Sequence, residues 1–135
     1  MISTFNLHFS YDRKRKLFEG IDLTIEAGKI YGLLGKNGTG KSTLLKLISG
    51  VLFPTFGSIR LNEYNPVDRS PDMLEDIFFL SEDYQLPDVA VKQYVSIYSV
   101  FDKQFDETKF YDILHTFDVP LDQKLNNMSF GQKKK

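Results

Sequence analysis

Gly35-Lys36-Asn37-Gly38-Thr39-Gly40-Lys41-Ser42-Thr43 is the stretch on which the reading of this chain turns. It spells G-x-x-x-x-G-K-S, with the apolar run Ile30-Tyr31-Gly32-Leu33-Leu34 before it and Leu44-Leu45-Lys46-Leu47-Ile48 after it. Glycines in this pattern let backbone N–H groups turn inward around phosphate oxygens, an approach that side chains would block. Lys41 is then placed to reach β- and γ-phosphates. The Ser42 hydroxyl, on the first turn of the following helix, is placed to ligate a Mg²⁺ that bridges them. The helix N-terminus adds positive potential. The competing reading is a plain glycine turn with Lys41 solvated; a buried strand before the loop and a helix after it favour phosphate binding.

The 135 residues supply one modest core, and that length is short for a complete P-loop ATPase. A net charge of −1 argues against nucleic acid as the main partner. No cysteine is present, which closes disulfide, zinc-thiolate and thiol-nucleophile readings. The N-terminus, Met1-Ile2-Ser3-Thr4-Phe5, lacks the blocks of a secretory signal, and no apolar run approaches the ~20 residues that span a bilayer. The expectation is a cytosolic chain whose membrane contact, where there is one, comes through another polypeptide.

Along the chain, Ser3 to Phe9 reads as a strand with Phe5, Leu7 and Phe9 on one side. Asp12-Arg13-Lys14-Arg15-Lys16 reads as a solvated hairpin tip, and Leu17 to Ile25 as the return strand. Lys29 to Leu34 is continuously apolar enough for a central parallel strand. The P-loop helix runs to about Gly50. Ser58 to Asn62 alternates as a short strand, Asn65 to Pro71 reads as loop, and Asp76 to Leu80 as a further buried strand. From Val91 the period becomes helical: Val91, Tyr94, Val95, Tyr98 and Phe101 mark one amphipathic helix, and Phe110, Ile113, Leu114 and Phe117 a second. Asp106 is the expected cap between them, and Val119-Pro120 the stop.

The chain closes on Met128-Ser129-Phe130-Gly131-Gln132. This resembles the L-S-G-G-Q signature of the ATP-binding cassette (ABC) family, and its pairing with an upstream P-loop is specific. Tyr11 sits where the family places an aromatic residue that stacks on adenine, and Pro54-Thr55-Phe56-Gly57 resembles the family's Pro-Thr-x-Gly turn. The resemblance covers the whole chain. It implies an α/β P-loop fold of the ABC ATPase type, incomplete, with an N-terminal antiparallel β region, a partial parallel core sheet and a helical subdomain. Residues 1–90 would form the nucleotide-binding core and residues 91–135 the helical part. It further implies ATP and Mg²⁺ as ligands, held by Tyr11 and by residues 35–43, with Ser42 and Glu82 toward the metal. Ser129, Phe130, Gly131 and Gln132 would act on the ATP of a second ABC subunit in a head-to-tail dimer. A transmembrane transporter subunit would be the other partner, which places the chain on the cytoplasmic face of the membrane.

Two residues depart from the family pattern. Glu82 stands where the family has the glutamine of its Q-loop, as in a subset of exporter-type cassettes, and Phe130 replaces the first glycine of the signature pair. The strand ending in Asp-Glu (Walker B) and the switch histidine, which the family carries downstream of the signature, have no counterpart here; His8 and His115 both precede it. The expectation is therefore nucleotide binding with poor hydrolysis by this chain, and fraying from about Phe130 onward. The rival readings are a soluble ABC ATPase acting on nucleic acid or ribosomes, and a vestigial nucleotide-binding module.

Overall fold

The computed structural model of the chain describes residues 1–12, 14–81, 85–101 and 104–133. Two compact units divide it, Met1–Ser81 and Glu82–Lys135. In the first, β1 (Ile2–Ser10), β2 (Lys16–Ile25) and β3 (Phe56–Leu61) form an antiparallel sheet of order β2-β1-β3. Helix α1 (Lys41–Ile48) covers one face. Its apolar stripe of Leu44, Leu47 and Ile48 closes a core with Leu7, Phe9, Phe18 and Ile59 from all three strands.

Strand β1 does not alternate as its sequence suggests. Leu7 and Phe9 are buried, but Phe5 is 74% exposed. The reason is a bulge at Asn6, whose φ is 45° and where the pairing shifts against both neighbours. The Asn6 N–H leaves the ladder and donates to Asp22 Oδ1 at 2.6 Å. One extra residue puts Thr4 and Leu7 on the same face, so Phe5 turns outward. Gly57 (φ 82°) makes room, since a Cβ there would lie 2.1 Å from the Asn6 carbonyl oxygen.

The hairpin tip closes on Asp12, whose Oδ1 accepts from the N–H groups of Lys14 at 2.7 Å and Arg15 at 2.8 Å. Helix α1 stops where its sequence indicates. Gly50 takes φ 68°, its N–H reaches Leu47 O, and Val51 N–H reaches Lys46 O, the paired bonds of a left-handed glycine stop. The segment expected as loop holds more order than that. Asn65 caps a 3₁₀ turn over Pro66–Asp68, and Ser70 caps α2 (Pro71–Asp76) by accepting from Met73 N–H. Ser70-Pro71 is a cap followed by proline at the first helical position, a start signal legible in the sequence.

The main difference from expectation concerns the parallel sheet. Residues 29–34 and 77–80 belong to no strand, and among the described residues the sheet is antiparallel throughout. Ile30 is fully exposed, Leu34 93% and Phe78 88%. A strand buried on both faces is held by hydrogen bonds to neighbours along both edges, and no such neighbour pairs with these residues.

In the second unit, α3 (Val91–Tyr98) passes into a 3₁₀ turn at Ser99–Phe101, and α4 (Glu107–Thr116) begins at Asp106, whose Oδ1 accepts from Lys109 N–H at 2.9 Å. Val91, Leu114, Leu125 and Met128 form the core, with Tyr94 and Phe110 at its margin, while Tyr98 and Phe101 remain exposed. An isolated bridge between Ala90 and Lys124 ties the segment after α4 to the start of α3. The last turn, α5 (Phe130–Lys133), is formed rather than frayed.

Candidate functional site

The P-loop joins residues 29–34 to α1. Gly38 and Gly40 both take left-handed φ values, 81° and 98°, which L side chains rarely adopt. Gly40 is fixed a second time by packing: a Cβ there would lie 2.7 Å from the Phe18 ring and 3.1 Å from Leu17. Strand β2 thus dictates a glycine in the loop, a requirement with no local signal because Phe18 and Gly40 meet only through the fold. As the N-cap of α1, Gly40 offers no side-chain acceptor to the first-turn N–H groups. Those groups, with the positive end of the helix, are free for an anionic ligand.

Thr39 braces the loop, its Oγ1 donating to the Lys36 carbonyl at 2.9 Å. The Lys41 ammonium lies along the loop, donating to the carbonyl oxygens of Gly35 at 2.8 Å and Lys36 at 2.9 Å. A lysine held across the mouth of a loop of backbone N–H groups carries the positive charge that phosphate oxygens would meet. Ser42 is exposed on the first turn. No cluster of three or more His, Cys, Asp or Glu residues occurs among the described residues. A single hydroxyl donor is compatible with Mg²⁺, which takes most of its ligands from water and substrate phosphates.

Tyr11, at the end of β1, has its hydroxyl 2.8 Å from Thr43 Oγ1 and its ring edge-to-face on Phe9, centroids 4.8 Å apart. The structure therefore joins Tyr11 to residues 35–43. Glu82, expected to approach a metal, lies outside the described residues. The signature residues form their own reciprocal cap: Ser129 N–H donates to Gln132 Oε1 at 2.9 Å, and Gln132 N–H to Ser129 Oγ at 3.2 Å. This box explains why so short a turn holds. At Gly131 a Cβ would meet only Ser129 Oγ among the described residues, at 4.0 Å, an ordinary contact.

A glycine-rich loop leading into a helix, an antiparallel sheet beside it and a separate helical unit define a P-loop nucleotide-binding protein. The chain belongs to the ABC transporter family, which it matches over residues 18–135. It is 31% identical over 134 residues to the putative ABC transporter ATP-binding protein AlbC of Bacillus subtilis, covering 93% of this chain and 56% of the relative. A putative ABC transporter ATP-binding protein of Pyrococcus furiosus superposes with a TM-score of 0.76 at 31% identity, over 96% of this chain and 64% of that one. A dimeric ATP-binding cassette bound to ADP and Pi has the same fold, with a TM-score of 0.76 at 20% identity, over 99% of this chain and 66% of that one. The chain thus spans between half and two thirds of the length of these proteins. The α/β P-loop fold of the ABC ATPase type is established by this likeness. No helix of the described residues is long and apolar enough to cross a membrane.

Proposed function

We propose that the chain is the nucleotide-binding portion of the ATP-binding subunit of an ABC transporter, taking Mg-ATP at residues 35–43. The observation that carries this reading is the pose of Lys41, folded over a loop of left-handed glycines at an uncapped helix start. Bound nucleotide would exchange the two carbonyl bonds of Lys41 for charge-assisted bonds to phosphate. Ser42 would supply one Mg²⁺ ligand, and the metal would neutralise phosphate charge. Glu82 is the second candidate ligand from this chain. Tyr11 would stack on the base.

Ser129, Gly131 and Gln132 would face the nucleotide of a second subunit. The open surroundings of Gly131 among the described residues fit that role, since a glycine leaves room for close approach from outside. A transmembrane partner would hold the subunit at the cytoplasmic face of the membrane, and the glutamate at position 82 favours the exporter branch. Catalysis in this class is positioning and water activation, and the residues named here would serve the positioning. Titration of Mg-ATP against the chain and a Lys41→Ala variant tests the reading. Saturable binding that falls at least tenfold in the variant is expected. Equal affinities, or no binding by either, would leave a vestigial loop.

A further inference from the structure

We propose that Thr43 positions the base-stacking ring, through the hydrogen bond between its hydroxyl and that of Tyr11, and so sets part of the affinity for a purine nucleotide. The inference rests on the nucleotide reading above. Tyr11 stands at the mouth of the β1–β2 hairpin with 66% of its surface exposed, a setting in which a tyrosine ring ordinarily swings between rotamers. Here it is held at two points. Its ring meets the buried Phe9 edge-on, and its hydroxyl lies 2.8 Å from an oxygen on the first turn of α1. Thr43 is itself buried, and its β-branched side chain has few rotamers, so the oxygen is a fixed post.

The bond links positions 32 residues apart and connects two functions that share no contact in sequence. Ser42, the neighbour of Thr43, is exposed, and Thr43 is bonded to the ring's hydroxyl. The purine that stacks on Tyr11 then meets a surface already in place, and binding does not have to immobilise the side chain. Loss of the hydroxyl at either end frees the ring without removing it.

Binding of Mg-ATP and of Mg-tripolyphosphate, which has no base, by the full chain tests the inference. Tyr11→Phe and Thr43→Val should each weaken Mg-ATP by about three- to tenfold. The double variant should be no weaker than the worse single one, because both remove the same bond. Thr43→Ser, which keeps the oxygen, should recover most of the Mg-ATP affinity that Thr43→Val loses, and tripolyphosphate affinity should not change in Tyr11→Phe, whose ring serves the base alone. Unchanged ATP affinity in Tyr11→Phe, which deletes only the hydroxyl, overturns the inference. So do losses that multiply in the double variant, or tripolyphosphate affinity falling together with that for ATP in Tyr11→Phe. If Lys41→Ala loses both ligands while Tyr11→Phe binds ATP like wild type, the inference fails and the nucleotide reading stands. If the wild-type chain binds neither ligand, both fall.

Discussion

Gly40 carries two constraints that are separable by experiment. Its φ of 98° costs any L residue of order 1–3 kcal/mol, and the Phe18 ring, 2.7 Å from where a methyl group would sit, forbids one sterically. Gly40→Ala should therefore lower stability in urea by about 2 kcal/mol or more, and Phe18→Ala in the same background should relieve none of the backbone part. Asp12 makes a pH-dependent contribution. The backbone amides of Arg15 and Lys14 hold its carboxyl below the usual carboxylate range. A depressed folded-state value means that the stabilisation is complete above the unfolded carboxylate's range and fades as pH falls through the folded value. The gap in thermal midpoint between wild type and Asp12→Ala should be constant from neutral pH down to about 5 and close progressively below about 4. A gap that widens in acid would contradict that assignment.

Among the elements, α4 is the one whose limits were most legible. Asp106, Glu107 in the first turn and His115 in the last are ordinary start and stop chemistry, and the cap forms as its sequence predicts. Asp106→Ala should cost about 1 kcal/mol, with Asp106→Ser or Asp106→Asn restoring most of it; urea unfolding followed by helical circular dichroism measures this. Strand β1 was legible only in part. Its apolar spacing gives a strand, but the extra residue at Asn6 is encoded in the room that Gly57 leaves and in the acceptor that Asp22 offers, both distant in sequence. A strand pattern read along one segment carries no information about its neighbours' backbones. Helix α1 shows the opposite case, since Gly50 announces the stop and its Leu47 is buried to 1% exposure. Leu47→Ala should destabilise the first unit by about 2–5 kcal/mol, read as a lower urea midpoint with an unchanged slope.

For the molecule as a whole, the largest departure from ordinary burial is the apolar surface of residues 29–34 and 77–80. Ile30 and Leu34 are as exposed as in an extended peptide, beside a loop whose geometry is otherwise well formed. Exposed apolar runs of this kind bind hydrophobic dyes. The chain should enhance ANS fluorescence at neutral pH, and the double variant Ile30→Ser, Leu34→Ser should cut that signal by about half while leaving the thermal midpoint within about a degree. A large drop in the midpoint would mean that these side chains are packed. The P-loop, the Asp106 cap, the glycine stop of α1 and the family itself were all legible in the order of residues. Each depends on backbone preferences or on contacts within a few positions, which local sequence encodes. The outward turn of Phe5, the Phe18 ring that fixes Gly40, the bond from Tyr11 to Thr43 and the unpaired state of residues 29–34 were settled in three dimensions. Each depends on which distant segment arrives as a neighbour, and a single segment's sequence does not specify that.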